Sequence, residues 1–385
     1  MFQVNYLNQI SPKGTALWTK ENRQSETIED ADALLVRSAA MHDMTFSENL
    51  LAVARAGAGV NNIPLDRCAE QGIVVFNTPG ANARSVMELT LCGLLLGCRD
   101  VIGGINWVKS IAQETDVAKK VEKGKSQFAG HEILGQKLGV VGLGAVGGPF
   151  ANAARKLGMQ VYGCDPFISI DAAWHLDSQI HRVNSREEVF STCDIISLHT
   201  PLVEDTRHMI NAETIAKMKD GVRILNFARA DLVNADDLKE ALASGKVAAY
   251  VTDFPTEEVI NVPGVVAIPH LGASTAESED NCAVMAALEL GDYIANGNIR
   301  NSVNFPAVSM PRSSDCRLCI LHKNVPAMLN KFTAICAEQG INIENMTSKS
   351  RGDVAYTMLD VNGKPADSSV QILKDMEDVM RVRVL

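Results

Sequence analysis

The sequence lacks the marks of a membrane, secreted or nucleic-acid-binding protein. Its most apolar stretch, residues 85–98, is too short to span a bilayer and carries Glu88. The opening Met1-Phe2-Gln3-Val4-Asn5-Tyr6 has no basic segment followed by a long apolar core, so no signal peptide is expected. Positive charge is not in excess. Lys and Arg number 36 against 46 Asp and Glu, a net charge of −10, which argues against nucleic acid as the main partner. A disulfide framework is missing too. The nine cysteines are odd in number, scattered, and set in apolar contexts such as Cys92, Cys98 and Cys164. That usage fits reduced thiols and a cytoplasmic protein. Cys316 and Cys319 form a CxxC, but they lie in a strand-like run that puts residues three apart on opposite faces. With no second ligand pair visible, no metal is expected.

What is present is ordinary globular composition, 46% apolar and 21% charged, over 385 residues. That length calls for two or three domains. Residues 1–98 alternate short apolar runs, such as the strand candidates Ala33–Arg37 and Ile73–Asn77, with helical patterns, which predicts a parallel α/β unit. From 99 to 274, six strand candidates recur with helices between them, which predicts a doubly wound sheet. The helical run after Ser274 is expected to cross back to the first region. The fold class is therefore α/β. A dinucleotide-binding domain at 99–274 is inserted in a flavodoxin-like substrate domain built from 1–98 and 275–303. A linker follows at 304–313. Residues 314–385 then run β-α-β-β-α-β, a ferredoxin-like α+β pattern.

The central motif is Val140-Val141-Gly142-Leu143-Gly144-Ala145-Val146-Gly147, an apolar strand breaking into Gly-x-Gly-x-x-Gly. Gly142 permits the turn, Gly144 lets a pyrophosphate approach the backbone, and Gly147 lets helix and strand pack closely. The helix start supplies unpaired N–H groups for phosphate. Asp165 follows at a strand end and can accept from a ribose diol while repelling a 2′-phosphate, so NAD is expected over NADP. Three ionisable residues follow late strands: Arg229, Glu257 and His270. An Arg can pair a carboxylate and polarise a carbonyl. A His can take a hydroxyl proton as hydride leaves, and a Glu can orient the imidazole and raise its pKa.

The ordered set resembles the D-2-hydroxyacid dehydrogenase family. It comprises the glycine turn, Asp165, His199-Thr200-Pro201-Leu202, Asn226-x-x-Arg229, Phe254-Pro255-Thr256-Glu257 and Pro269-His270-Leu271-Gly272-Ala273. Residues 55–63 and 77–82 extend the likeness towards the N-terminus. The resemblance implies NAD-dependent oxidation of D-3-phosphoglycerate to 3-phosphohydroxypyruvate, the entry to L-serine biosynthesis. Other 2-hydroxy acids (glycerate, 2-hydroxyglutarate) and a NAD-sensing interaction protein are the alternatives. It also implies catalytic roles for Arg229, Glu257 and His270. NAD contacts would come from Thr78, Gly142, Gly144, Ala145, Val146, Gly147, Asp165, Thr200, Phe227, Ala228, Arg229, Asp253, His270, Gly272 and Ala273. Substrate would be held by Arg55, Ala56, Gly57, Asn77, Arg229 and His270. The tail resembles an ACT domain, a small amino-acid-sensing module. There His322, Asn324 and Asn342 would bind L-serine as an effector in a homodimer or homotetramer. Three positions depart from the family pattern. Thr252 stands where an Asp is common, with Asp253 one place later. Ala230-Asp231 stands where Gly-Gly is common, and Ala327 where Gly is frequent.

Overall fold

Sixteen strands fall into three sheets in the computed structural model, which describes residues 2–18 and 23–385. The chain divides into two compact units, Met1–Asn82 with Thr275–Leu385, and Ala83–Ser274.

The first unit contains β1 (Gln3–Tyr6), β2 (Arg23–Gln24), β3 (Ala33–Val36), β4 (Ala52–Arg55) and β5 (Val74–Phe76), in the order β2-β1-β3-β4-β5. All neighbours are parallel, and the order is that of flavodoxin-like sheets. Residues of β3 to β5 are apolar and buried along almost their whole length, as a parallel sheet covered on both faces requires. The helix Ala276–Asn296 covers one face. Its Ala286, Leu290 and Tyr293 share a core with Val4, Leu35, Ala54 and Phe76. Thr275 caps it by accepting from Ser278 N at 3.1 Å.

The same unit carries β13 (Cys316–Lys323), β14 (Asn342–Arg351), β15 (Val354–Asn362) and β16 (Val379–Val384), an antiparallel sheet ordered β14-β15-β13-β16. Helices Met328–Glu338 and Asp367–Lys374 complete the expected β-α-β-β-α-β order. Its central strands β13 and β15 are buried on both faces, whereas the edge strand β14 is largely exposed. Cys316, Leu318 and Ile320 pack with Phe332 and Leu373, while Cys319, Leu321 and Tyr356 pack with Leu290 and Tyr293. The two cysteines of the CxxC thus lie in different cores. The segment expected as a linker is itself core: Phe305 and Val308 are buried and Met310 nearly so. Arg317 fixes it in place. Its buried guanidinium pairs with Asp360 through Nε at 2.6 Å and Nη2 at 2.8 Å, and also donates to the carbonyls of Asn296, Met310 and Pro311. Apolar side chains and a satisfied ion pair, rather than a free tether, make this junction.

The second unit is built on β6 (Lys137–Val141), β7 (Gln160–Cys164), β8 (His181–Arg182), β9 (Ile195–Leu198), β10 (Val222–Asn226), β11 (Val247–Thr252) and β12 (Val265–Ala267). Their order is β12-β11-β10-β9-β6-β7-β8, all parallel. The strand order reverses between β6 and β9, which creates a ligand crevice at the carboxyl ends. β8 is a two-residue edge strand beyond the six expected. The helix Ala83–Cys98 belongs to this unit, so the boundary falls at Asn82 rather than after residue 98. Its small residues explain the placement. A Cβ on Gly93 would run into the Phe227 ring, and one on Gly97 would come within 3.2 Å of Val251. Arg223 Nε also donates to Gly97 O at 2.9 Å.

Candidate active site

The glycine turn follows β6 at the reversal point. Gly142 has φ +91°, and a Cβ there would meet His199 O at 2.5 Å, so both conformation and space require glycine. Gly147 begins the helix Gly147–Lys156, and a Cβ there would run into Gly142 O. Gly144, by contrast, faces open space. Asp165, just past β7, is anchored beside the turn: Oδ2 accepts from Leu143 N at 2.8 Å and Oδ1 from Phe167 N at 2.9 Å. His199, one residue past β9, supports the turn from below. Its Nε2 pairs with Ser197 Oγ at 2.8 Å, and burial pushes its pKa down to about 4, so it stays neutral. Thr200 follows it, half-buried, with Oγ1 3.7 Å from Met209 Sδ.

Past β10, Asn226 shapes the loop that carries Phe227, Ala228 and Arg229. Its buried amide donates to Arg229 O at 2.9 Å and Tyr250 OH at 3.0 Å, and accepts from Ala228 N at 3.2 Å. The exposed Arg229 guanidinium lies 5.6 Å from the Phe254 ring centre. On the other strand end, the His270 and Phe254 rings are 4.4 Å apart. Phe254 therefore serves as a common platform for the two groups. The sequence motif contains it but gives no sign of this role, because ring packing is not written in spacing. Ser85 Oγ donates to Gly272 O at 2.7 Å and steadies the loop after His270, a support the sequence also hides. Ala273 follows, half-buried.

Glu257 is not brought to His270. It sits exposed in the turn after β11, and among the described residues no hydrogen bond or ion pair joins the two. An exposed ion pair is worth only about 0–1 kcal/mol, too little to hold two mobile side chains together. Asp253 is the carboxylate that stays close. It is 1% exposed, and its Oδ1 has no hydrogen-bond partner. Burial pushes its carboxyl up, while the charges of His270 and Arg229 and the Gly272 backbone draw it back.

In the first unit, Arg55 ends β4 and braces the Ala56–Gly59 turn, donating through Nε to Arg37 O at 2.9 Å and through Nη1 to Gly59 O. Asn77 closes the same turn with an Nδ2 bond to Ala58 O at 2.6 Å. Thr78 is fully buried with Oγ1 unpartnered.

The signature described as "D-isomer specific 2-hydroxyacid dehydrogenase, NAD binding domain" matches residues 103–272. A D-3-phosphoglycerate dehydrogenase of Haemophilus influenzae is 34% identical over 351 residues, covering 87% of this chain and 81% of its own. The chain belongs to the D-isomer-specific 2-hydroxyacid dehydrogenase family. A hydroxypyruvate reductase of Thermotoga maritima is 38% identical over 285 residues, 71% of this chain and 88% of that one. Among solved structures, the NAD+-bound 3-phosphoglycerate dehydrogenase of Entamoeba histolytica aligns with TM-score 0.61 at 27% identity, over 79% of this chain and 98% of that one.

The dehydrogenase's cofactor is NAD, and its second unit fits that group. Gly144 leaves open space for a pyrophosphate, Asp165 is anchored beside the glycine turn as an acceptor for a ribose diol, and the buried Asp253 Oδ1 has no donor of its own. The C-terminal sheet is less accommodating to an effector. His322 is 3% exposed, with Nδ1 2.8 Å from Lys323 O and Nε2 2.9 Å from Thr357 Oγ1. Asn324 donates to Gly352 O, and Asn342 to Glu344. Within one chain these three do not converge. His322 pairs with Ala355 at one end of β15, whereas Asn342 pairs with Asn362 at the other.

Proposed function

We propose that this dehydrogenase oxidises D-3-phosphoglycerate to 3-phosphohydroxypyruvate with NAD, supplying L-serine biosynthesis in the cytoplasm. The observation that carries the reading is the pair Arg229 and His270, packed on Phe254 at adjoining strand ends of the sheet that carries the glycine turn. Arg229 binds the substrate carboxylate and polarises the developing carbonyl. A His270 ring nitrogen takes the hydroxyl proton. NAD would supply the hydride acceptor, and the hydride would come from the carbon that bears the hydroxyl. Asp253 takes the nicotinamide amide, and Glu257 partners His270, for which it must leave its exposed position. Gly142, Gly144, Ala145, Val146 and Gly147 receive the pyrophosphate, and Asp165 selects NAD over NADP. Arg55, with the turn through Ala56 and Gly57, lends positive charge and N–H groups to a phosphate, and Asn77 keeps that turn in shape.

The test is NADH absorbance with D-3-phosphoglycerate, D-glycerate and D-2-hydroxyglutarate in parallel. The phosphorylated acid is expected to have the highest kcat/KM. His270→Asn should lower kcat by on the order of 10²–10⁴ and leave NAD affinity nearly intact. Turnover of that variant near the wild-type level would overturn the role of His270. A preference for an unphosphorylated acid would move the enzyme to another substrate in the family; the Thermotoga relative is named a hydroxypyruvate reductase.

The C-terminal sheet is read as an ACT-like module with L-serine as its ligand. The reading draws support from its strand order and from the exposed amides of Asn324 and Asn342, but not from the internally bonded His322. Ala327 has φ +67°, the left-handed region that favours glycine, which accounts for the glycine frequent there in the family. Unchanged activity and melting temperature in millimolar L-serine would remove the effector. The enzyme is read as a dimer or tetramer from the exposed Leu95, Val101, Ile102, Ile105 and Val108 on the helices after Asn82. Light scattering decides this.

A further inference from the structure

The first unit contains a cavity of about 650 Å³ that has no part in the chemistry above. That volume is in the range of small-molecule pockets. Met285, Leu288, Glu289 and Asp292 line it from a single face of the helix Ala276–Asn296, and Arg300 and Asn301 line it from the chain beyond. Its polar groups are not equally satisfied. Asp292 Oδ1 accepts from Asn296 Nδ2 at 2.9 Å and Asn298 Nδ2 at 3.0 Å, and Oδ2 lies 3.4 Å from Arg300 Nε. Arg300 is thus offset by Asp292. Glu289 differs. Its side chain is 8% exposed, one oxygen accepts from Asn301 Nδ2 at 2.5 Å, and Oε2 has no partner. A buried carboxylate oxygen without a donor is costly, and a ligand that brings one relieves that cost.

We propose that this cavity binds a small organic ammonium ion, with an N–H donating to the Glu289 carboxylate and an alkyl body lying on Met285 and Leu288. An anion would face two carboxylates against one guanidinium already engaged. A neutral alcohol could supply the donor but not the charge. Burial pushes the Glu289 carboxyl up to about 7, and a bound cation would draw it down. Asn301 links the site to the loop ahead of residue 82, because its carbonyl accepts from Asn77 N at 3.2 Å. The inference is independent of the substrate assignment.

The test is titration calorimetry and thermal shift on the full chain at pH 8, with n-butylammonium, tetramethylammonium, butan-1-ol and butyrate at matched ionic strength. Only n-butylammonium should bind saturably and raise the melting temperature. Glu289→Gln should weaken it by on the order of 10- to 100-fold, the loss of one charge-assisted hydrogen bond. Leu288→Lys, at a position 58% exposed, keeps the fold and should weaken it by charge repulsion. It decides the question if Glu289→Gln does not fold. No saturable n-butylammonium binding would overturn the site. An equal response to tetramethylammonium, which has no N–H, would overturn the hydrogen bond to Glu289. Binding of butyrate instead would overturn the ligand class, and unchanged affinity in the variants would overturn the location.

Discussion

Glu289 gives a stability experiment whose sign and size both follow from the structure. Its carboxyl rises from an ordinary 4.5 to about 7 because burial penalises the ionised form more than the Asn301 hydrogen bond rewards it. A difference of roughly 2.5 units, at about 1.36 kcal/mol per unit, corresponds to about 3 kcal/mol. The folded state holds this proton more tightly than the unfolded chain does. The contribution to stability is therefore fully present below pH 4.5 and is lost as pH rises to about 7. Glu289→Gln keeps the shape and an acceptor for Asn301 but has no proton to lose. Relative to wild type, the variant should gain stability steadily from pH 4.5 to about 7 and then level off. The plateau gain is at most about 3 kcal/mol. At roughly 2–4 °C per kcal/mol for a unit of this size, it appears as about 6–12 °C in melting temperature. Differential scanning calorimetry from pH 5 to 8, at constant ionic strength and without amines, reads it directly. The charged neighbours lining the same cavity are Asp292 and Arg300, and both are unchanged in the variant. A difference curve that is flat across this range, or that slopes the other way, would refute the reasoning.

Asp253→Asn removes a buried carboxylate with an unpartnered oxygen. The apoenzyme should keep or gain stability while NAD binding weakens by about 1–3 kcal/mol, as read by calorimetry; a destabilised apoenzyme with normal NAD affinity would contradict the assignment. Asp165→Ala removes the ribose acceptor and the repulsion of a 2′-phosphate, so the ratio of kcat/KM for NAD over NADP should fall; an unchanged ratio would place the choice elsewhere. Arg317→Met leaves Asp360 buried without its partner and should cost about 3–5 kcal/mol, which Arg317→Met with Asp360→Leu should largely restore; equal melting temperatures for the single and double variants would argue against it.

Much of the second unit was legible because its strands are apolar runs separated by turn residues, and because the glycine turn carries its own geometry in Gly142 and Gly147. The first sheet was harder to read. β1, Gln-Val-Asn-Tyr, is half polar, and β4, Ala-Val-Ala-Arg, has side chains too small to mark a period. The helix Ala83–Cys98 has an apolar pattern that fits either unit; only Gly93 and Gly97, which admit Phe227 and Val251, assign it. The Arg317–Asp360 pair joins residues 43 apart, so nothing local announces that the presumed linker is held in a core. His322 shows the reverse difficulty. A histidine at a strand end reads as available for a ligand, but its nitrogens are already bonded to Lys323 O and Thr357 Oγ1.

The one-residue displacement of the acidic position from Thr252 to Asp253 has a structural basis. β11 ends at Thr252, whose side chain is buried and whose Oγ1 accepts from Phe254 N at 3.0 Å, capping the strand end. An Asp at 252 would carry its carboxylate into that enclosed position, in line with the strand's alternation. At 253 the chain has left the strand, so the next side chain is not bound to the opposite face. Its carboxyl instead feels His270, Arg229 and the Gly272 backbone. The displacement therefore keeps a carboxylate beside the imidazole while giving up its place in the strand. With Glu257 exposed, Asp253 is the buried carboxylate that feels the charge of His270, and its Oδ1 has no hydrogen-bond partner.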